Sequence, residues 1–284
     1  MTDPIMSDPL APGLYIVATP IGNLSDLSAR AATTLRGANL ILAEDKRVTA
    51  KLLAHVQATA PMAVYHDHSS EAERDRILGQ LGTQAVALVS DAGTPLISDP
   101  GYKLVRAARA AGHAVHTVPG ACAAIAALTL AGLPTDRFLF AGFLPPKAKA
   151  RADAIAELAS LRASLVFYES GPRLDESLAA LAEGLGRRDA AVIREISKLH
   201  EETVTGTLAE LAERYADAPP RGEIVIVVGP PAEQEAASDE ALDAALKIAL
   251  ATLTPSRAAK DVAERLNIPR KRAYARALSL GPSG

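Results

Sequence analysis

The residues best suited to chemistry are concentrated in one twelve-residue stretch, Ser90–Gly101 (SDAGTPLISDPG). It holds Asp91 and Asp99 together with two glycines and two prolines, and it directly follows the apolar run Ala85–Val89. A loop that only connects two elements does not need so many conformationally special and charged residues, so the pattern predicts a ligand-binding loop. The stretch lacks the Gly-Lys-Ser/Thr ending of a P-loop, which excludes that class of phosphate site.

Other groups able to move a proton follow other apolar runs. Glu44 and Asp45 follow an early run, and Glu169, Glu195 and Lys198 follow later ones. Each of them, like Asp99, could serve as a general base. Two ordinary interpretations stay open: the first pair could begin a solvated helix, and the last two residues could belong to a salt-bridged sheet edge.

Two further candidates have weaker support. His66-Asp67-His68 has the spacing of a metal pair, but no third ligand lies nearby in the sequence, so a polar loop is favoured. Cys122 is the only cysteine, which excludes an intrachain disulfide and a cysteine-rich zinc site. No base flanks Cys122, so we interpret it as a packing residue and expect no metal.

The scaffold for these groups is an alternation of short apolar runs and helical segments. The predicted strands of the first part are Leu14–Ala18, Leu40–Ala43, Ala85–Val89 and Val115–Val118. Fully apolar strands separated by helices indicate a mostly parallel sheet covered on both faces. Ligands of such sheets bind beyond the carboxyl ends of the strands, where the turns rich in glycine, proline and aspartate lie.

A second series of strands begins near Arg137 and ends with the apolar run GEIVIVV at residues 222–228. It predicts a second α/β or α+β domain. We therefore expect a flexible N-terminal tail (1–13), an N-terminal α/β domain (14–131), a second domain that completes a cleft (132–231) and a helical C-terminal tail (232–284).

The tail is divided by charge. Residues 232–253 hold five acidic residues and one lysine, a net charge of -4, whereas residues 254–284 hold seven basic and two acidic residues, a net charge of +5. Ser256 is a candidate cap for a helix over 257–266, and a basic helix is predicted over 270–280. Helix, short turn and basic helix together resemble a helix-turn-helix.

Composition and charge limit the classes of protein to which this chain can belong. The net charge of -3 excludes a protein that binds polyanions through its overall charge, so any nucleic-acid surface must be a local basic patch. The first residues lack the basic start and apolar core of a signal peptide. The longest apolar stretch, Ala121–Leu133, is too short for a membrane span, so we expect a soluble, cytoplasmic protein.

Taken together, eight ordered blocks resemble the tetrapyrrole (corrin/porphyrin) methylase superfamily, and most closely its branch that methylates ribosomal RNA. Corrin-type relatives begin with a glycine-rich turn, but this chain has Ala18 and Pro20 at the first two glycine positions, which argues against a tetrapyrrole substrate. The matching blocks are LYIVATPIGNLSDLSARA (14–31), AEDKR (43–47), SDAGTPLISDPG (90–101), VPGACAAIAAL (118–128), FAGFLPPK (140–147), YESGPRL (168–174), REISKLHEE (194–202) and GEIVIVV (222–228).

The resemblance implies a two-domain α/β tetrapyrrole-methylase fold with a C-terminal helix-turn-helix-like tail. It further implies methyl transfer from S-adenosyl-L-methionine to the ribose 2′-hydroxyl of a decoding-centre cytidine in 16S rRNA, cytidine 1402, with the small ribosomal subunit as partner and a homodimer as the assembly. The residues that it assigns to cofactor binding are Pro20, Ile21, Asp91, Thr94, Ile97, Cys122, Ala123, Phe143 and Ile196.

A ribose hydroxyl is a weak nucleophile when neutral, so some group should accept its proton. Lys198, Glu44 and Asp45 are the predicted catalytic residues, and the predicted RNA contacts are Arg270, Lys271, Arg272 and Arg276 of the tail. Three alternatives stay open: a small-molecule methyltransferase acting on a tetrapyrrole, a non-catalytic RNA-binding factor, and a tail that docks a protein.

Overall fold

The computed structural model describes residues 9–66, 68–216, 220–232, 238–266 and 268–280. Contacts divide the chain into two compact units, Met1–Pro231 and Ala232–Gly284, which are described separately below. The predicted N-terminal tail lies mostly outside the described residues. The domain boundaries predicted at residues 131 and 231 stay predictions.

The first unit begins with a five-stranded sheet in which every pairing is parallel. Its order is β3-β2-β4-β1-β5, which confirms the parallel sheet expected from the apolar runs. The strands are β1 (Gly13–Val17), β2 (Leu40–Ala43), β3 (Met62–Val64), β4 (Ala85–Leu88) and β5 (Val115–Val118). The sequence analysis missed β3, a three-residue edge strand.

Helices cover both faces of this sheet because successive side chains of a strand point to opposite faces. On β1, Tyr15 and Val17 pack with α1 and α2, whereas Leu14 and Ile16 pack with α3 and α4. The helices are α1 (Ala29–Gly37), α2 (Lys46–Val56), α3 (Glu71–Leu81), α4 (Tyr102–Ala110) and α5 (Ala123–Leu130). Side-chain caps fix three of the starts: Ser28 caps α1, Asp45 caps α2, and Ser70 forms a capping box with Glu73 at α3.

The second sheet has the order β6-β7-β10-β8-β9. Only β6 and β7 are parallel, and the other pairings are antiparallel, so this half is mixed. Its strands are β6 (Phe138–Phe143), β7 (Ser164–Ser170), β8 (Asp189–Arg194), β9 (Glu202–Thr207) and β10 (Glu223–Val228), and its helices are α6 (Ala148–Leu158), α7 (Leu174–Leu185) and α8 (Leu208–Tyr215). The sequence analysis missed β9.

Helix α5 joins the two halves of the first unit. It follows β5 of the first sheet, but its residues Ala124, Ala127 and Leu128 pack in one cluster with Val166 of β7 and Val225 of β10. Helices α6, α7 and α8 cover the opposite face of the second sheet around the buried ring of Phe167. The second sheet is thus enclosed on both faces, and one face is closed by a helix from the first half.

The second unit consists of three helices, α9 (Asp239–Leu250), α10 (Pro255–Arg265) and α11 (Arg270–Leu280). Helix α11 has the bounds that the sequence predicted. Ser256 was wrongly predicted as a cap: α10 begins at Pro255 with Thr254 as its N-cap residue, because proline suits the first turn, where no N–H partner is needed. Asn267, in the predicted turn, lies outside the described residues.

Within the described ranges, every helix is too short or too polar to span a lipid bilayer.

Candidate ligand-binding site

A cavity of about 410 Å³ lies among loops from both sheets of the first unit. Its lining, within the part of the chain that the structure describes, includes five carboxylates and no lysine, arginine or histidine. The lining residues are Ile21, Glu44, Asp91, Ala92, Gly93, Thr94, Ile97, Ser98, Asp99, Ala123, Phe143, Tyr168, Glu169, Ser170, Ile196, Gly222, Glu223, Ile224 and Val225. The cavity is therefore an acidic site with an apolar wall.

The loop of residues 90–101 is held by hydrogen bonds to the turns beside it. Thr19 and Gly93 exchange two backbone hydrogen bonds, of 2.8 and 3.1 Å. The Thr94 hydroxyl donates to the carbonyl of Ala121 at 2.9 Å, after β5. Because β1 lies between β4 and β5 in the sheet, the turns that follow these three strands meet and hold one another.

Strained backbone marks both sides of the cavity. Leu96 and Ser98 have φ of 76° and 62° in the first loop, and Glu195 and Ser197 have φ of 52° and 65° in the loop after β8. Side chains rarely adopt this left-handed conformation, which costs of order 1–3 kcal/mol at each residue. Only one other non-glycine residue with positive φ occurs in the described ranges, Gln57 at the end of α2. Such clustering is typical of functional loops.

Neighbouring carboxylates of the cavity raise the pKa of Asp99 and Glu44. Burial, followed by the neighbouring charges of Glu44 and Asp91, raises the pKa of Asp99 to about 6, although a hydrogen bond with Ser90 opposes the rise. Burial and the charge of Asp91 also raise the pKa of Glu44. The Asp91 carboxylate accepts the backbone N–H of Asp45 at 3.1 Å, which ties the end of β2 to the loop after β4. No cation is among the groups that shift the pKa of Asp99.

Aromatic side chains form the wall contributed by the second sheet. The Tyr168 ring makes edge contacts with Phe140 and Phe143, at centroid distances of 4.8 and 5.7 Å. Its hydroxyl accepts the backbone N–H of Ala124 at 3.2 Å, at the start of α5. Burial raises the pKa of Tyr168, so the phenol stays neutral. This hydrogen bond holds the first turn of α5 against the second sheet.

Lys198 lies in an ion-paired network beside the cavity. Its ammonium is 2.8 Å from Glu195 Oε1 and 2.8 Å from Glu223 Oε2. Burial alone would lower the pKa of Lys198, but the two carboxylates outweigh it and raise the pKa. The lysine stem passes so close to Gly22 that a Cβ there would lie 2.3 Å from Lys198 Cγ. Lys198 therefore connects the turn after β1 to the second sheet as a fixed cation.

Asp45 is likewise committed to local structure. It caps α2 by accepting the backbone N–H of Arg47 at 2.8 Å, and it pairs with the Arg47 guanidinium at 2.7 Å. The hydrogen bond from the Arg47 side chain lowers the pKa of Asp45 to about 2. A carboxyl with that pKa is a weak base at neutral pH.

The structure brings together most of the residues predicted to bind the cofactor. Pro20 and Cys122 do not line the cavity, although each neighbours a residue that does. Seven of the nine predicted residues line it: Ile21, Asp91, Thr94, Ile97, Ala123, Phe143 and Ile196. A ligand contact at any of the nine remains a prediction.

The sequence analysis missed Tyr168 and the first residues of β10, Glu223 to Val225, which line the same cavity. Tyr168 precedes Glu169 and Ser170 at the end of a strand, a position that could have identified it. The sequence of β10 does not indicate that its amino end faces a ligand site, because a strand rich in apolar residues gives no sign of which end lies near a ligand.

The four predicted RNA contacts of the tail differ in their surroundings. Arg276 forms a bidentate pair with Asp243 of α9 at 2.5 and 2.6 Å. Arg272 lies 2.8 Å from Asp239 of the same helix. Arg270 donates to the Ser256 hydroxyl at 3.3 Å, and Lys271 is exposed. The opposite charges of the two halves of the tail are thus partly neutralised within it.

The candidate metal pair is not part of a larger donor set. His66 and His68 lie with ring centroids 6.2 Å apart, and Asp67 lies outside the described residues. Within the described residues, no three histidine, cysteine, aspartate or glutamate side chains group in a way that could hold a metal ion.

Known proteins resemble this chain over nearly its whole length. The model of the tetrapyrrole (corrin/porphyrin) methylases matches residues 13–212, and the model of the RsmI C-terminal HTH domain matches residues 236–281. Ribosomal RNA small subunit methyltransferase I of Erythrobacter litoralis is 55% identical, over 96% of this chain and 97% of the relative. The protein of that name from Mesorhizobium japonicum is 46% identical, over 97% of this chain and 95% of the relative.

Solved structures show the same fold at lower identity. Diphthine synthase superposes with a TM-score of 0.61 at 16% identity, over 76% of this chain and 89% of that chain. Uroporphyrin-III-C-methyltransferase from Thermus thermophilus superposes with a TM-score of 0.55 at 22% identity, over 76% and 93%. The chain therefore belongs to the tetrapyrrole (corrin/porphyrin) methylase family and, within it, to the ribosomal RNA small subunit methyltransferase I family.

Proposed function

We propose that this chain transfers a methyl group from S-adenosylmethionine to the ribose 2′-hydroxyl of the decoding-centre cytidine at position 1402 of 16S rRNA. The names of its relatives support ribosomal RNA of the small subunit as the substrate. The ribose hydroxyl and the particular cytidine come from the resemblance of the sequence blocks.

One observation carries the proposal: five carboxylates and no basic side chain of the described residues line the cavity. Glu169 and Glu223 are ion-paired with Arg173 and Lys198, and the other three, Glu44, Asp91 and Asp99, leave the cavity with a negative charge. An anionic cavity with low-dielectric walls favours a cation, and S-adenosylmethionine carries a positive sulfonium. When bound, it supplies a methyl group that this charge already activates. The apolar side chains of Ile21, Ile97, Phe143 and Ile196 provide surface for its adenosine part. The chain's own task is then to align the acceptor oxygen and to remove its proton.

Asp99 is the group best placed to accept that proton. It lines the cavity, no cation contributes to its pKa, and that pKa of about 6 makes it more basic than an ordinary aspartate while leaving it ionised at pH 7. Lys198 is held as a cation by two carboxylates, and Asp45 is held as an anion by Arg47. Glu44 also lines the cavity, but it is exposed. Asp99 would accept the proton that the ribose hydroxyl gives up when its oxygen takes the methyl group from the donor.

The homodimer implied by the resemblance is supported by apolar side chains left exposed in the first unit. Phe138 of the edge strand β6 is 45% exposed, and Ile125 and Leu130 of α5 are 48% and 38% exposed. Helix α5 packs on the sheet face to which Phe138 points, so an apolar surface from both elements is available to a second copy. The cytoplasmic location stays a prediction.

The proposed reaction can be tested directly. The purified chain, incubated with small ribosomal subunits and labelled S-adenosylmethionine, should place one methyl group on the ribose of that cytidine. Reverse-transcription mapping of ribose methylation locates it. Methylation of a base, or activity on a tetrapyrrole in place of RNA, would contradict the proposal.

Replacing Asp99 with Asn should separate catalysis from stability. The methylation rate should fall by about 10²–10⁴-fold, since that is the usual contribution of a general base. The rate of the unchanged protein should also fall as the pH drops through about 6, the pKa of Asp99, and in D99N this dependence should disappear. Steady-state kinetics across pH measure both effects. Glu223→Gln is the matched control, because Glu223 lines the same cavity but is paired with Lys198.

The same variant should be more stable than the original at pH 7. The pKa of Asp99 is higher in the folded chain than its ordinary value of 3.8, so stability falls as the pH rises from about 4 to about 6. Discounted for partial exposure, we expect D99N to gain about 1–2 kcal/mol at pH 7 and little near pH 4. Urea denaturation measures the gain. An inactive variant that is also less stable would indicate a structural role instead.

Removing residues 232–284 should strongly weaken RNA methylation and spare binding of S-adenosylmethionine. The reason is that the cavity lies wholly in the first unit, whereas Arg270 and Lys271 of the second unit are predicted RNA contacts. Isothermal titration measures donor binding, and methylation of small subunits measures activity. Full RNA activity of the shortened chain would show that the tail has another role.

The predicted dimer should sediment at twice the chain mass of 29.5 kDa. Replacing Phe138 with Glu should convert it to the monomer, because the charge would have to be buried in the interface. Analytical ultracentrifugation distinguishes the two forms, with exposed Leu199→Glu as control. A monomeric original protein, or an F138E variant that still dimerises, would rule out this surface.

A further inference from the structure

Helix α4 (Tyr102–Ala110) presents a basic face to solvent. Lys103, Arg106 and Arg109 are exposed, whereas Leu104 and Ala108 are buried against the first sheet. At about 100° per residue, the three cations fall within an arc of about 120° on the side opposite the buried pair. The helix contains no acidic residue. Its solvent face is therefore a local patch of one charge in a chain whose net charge is -3.

The two arginines of this face are not used to hold the fold. Neither Arg106 nor Arg109 takes part in any of the ion pairs found among the described residues. On the neighbouring helix α3, Glu71 pairs with Arg74 and Glu73 closes the capping box with Ser70. The guanidinium groups of Arg106 and Arg109 are thus available to an external anion.

This face begins next to the cavity. Asp99 lines the cavity, and α4 starts at Tyr102, only three residues later, so at most about 10 Å of chain separates them. Gly101 keeps the connection tight, because a Cβ there would lie 2.6 Å from the Leu88 side chain. A cavity that repels anions and a helix face that attracts them are therefore adjacent.

We propose that the solvent face of α4 binds the RNA phosphates that flank the target nucleotide. This inference rests on the proposed function. The carboxylates of the cavity repel phosphate, so a ribose can enter only if its phosphates are held outside, and α4 offers them cations at that point. Lys103, Arg106 and Arg109 are spaced by about 4.5 Å along the helix axis, and each arginine can form a bidentate pair with a phosphate. The opposed charges would orient the RNA with its sugar towards the cavity.

Charge reversal in the full-length chain tests the proposal. In R106E/R109E, affinity for a fluorescein-labelled fragment of small-subunit ribosomal RNA should fall by about tenfold or more. The slope of log K against log salt should decrease by about 2, one unit for each phosphate that the variant no longer binds. Fluorescence anisotropy across a salt series measures both. R106K/R109K should bind more tightly than R106E/R109E because it keeps both charges, and less tightly than the original chain because lysine cannot form the bidentate pair.

The matched control is K149E/R162E, which makes the same change in net charge at two exposed positions of the other half of the unit. It should bind the RNA within about twofold of the original chain, because its positions lie outside the proposed surface. Equal weakening of both double variants would overturn the proposal, since net charge alone would then explain the loss. Unchanged binding and methylation by R106E/R109E would also overturn it, and would leave the proposed function intact.

Titration with S-adenosylmethionine separates failure of the proposal from failure of the proposed function. All variants should bind the donor as the original chain does, which also shows that they are folded. An original chain that binds the donor but has no affinity for the RNA fragment would overturn the proposed function and this inference together.

Discussion

Two backbone hydrogen bonds between Thr19 and Gly93 tie the turn after β1 to the loop after β4, and the geometry of the cavity depends on this junction. The Thr94 hydroxyl extends it to Ala121, after β5. The junction exists because β1 lies between β4 and β5, so parallel strands bring their carboxyl ends to one edge. Without it, the loop of residues 90–101 could not hold Asp91 and Asp99 at one wall of the cavity.

The cavity is costly in free energy. The charges of Glu44 and Asp91 raise the pKa of Asp99, no cation offsets that rise, and four residues of the surrounding loops adopt left-handed backbone. Each left-handed residue lowers stability by an amount of order 1 kcal/mol or more, and the raised pKa of Asp99 lowers it further at neutral pH. The apolar layers of the two sheets offset this cost, and sites that trade stability for activity commonly show this pattern.

The acidic groups beside the cavity have two different roles. Glu195 and Glu223, which pair with Lys198, support the structure, whereas Asp99 remains available for chemistry.

Much of the fold could be predicted from the sequence because the three central strands of the first sheet, β1, β2 and β4, are apolar. The predicted runs at 40–43 and 115–118 match β2 and β5, and the tail helix over 270–280 matches α11. The edge strands β3 and β9 were missed because β3 has only three residues and β9 contains polar and charged residues. Strand β9 (ETVTGT) has the β-branched residues typical of strands. It follows a charged segment directly, however, so no apolar run indicated where the strand begins.

The site could be predicted in part. Loops that follow parallel strands must share an edge, so the sequence alone is enough to place Ile21, Asp91, Thr94 and Ala123 together. Residues that reach the cavity from the mixed sheet, such as Tyr168, depend on strand order, which short-range pattern does not encode. The ion pairs could not be predicted from the sequence either. The partners of Lys198 and Arg276 lie 3 to 33 positions away along the chain, so the availability of these two residues as base or RNA contact depends on the folded arrangement.

Charge placement decides how a chain with a net charge of -3 can act on a polyanion. The net charge repels RNA, so binding must come from cations that are not neutralised internally. In the tail, Arg272 and Arg276 of α11 are paired with acidic residues of α9, so part of their charge is neutralised between these two helices. On α4, Arg106 and Arg109 form no ion pair with any described residue, although the helix lies beside the most acidic part of the first unit. Arg109 lies in the last turn of α4, where its charge also favours the helix dipole, but an unpaired cation such as Arg106 has no such stabilising role. Its position is explained if its partner is an anion that must stop at the edge of the cavity.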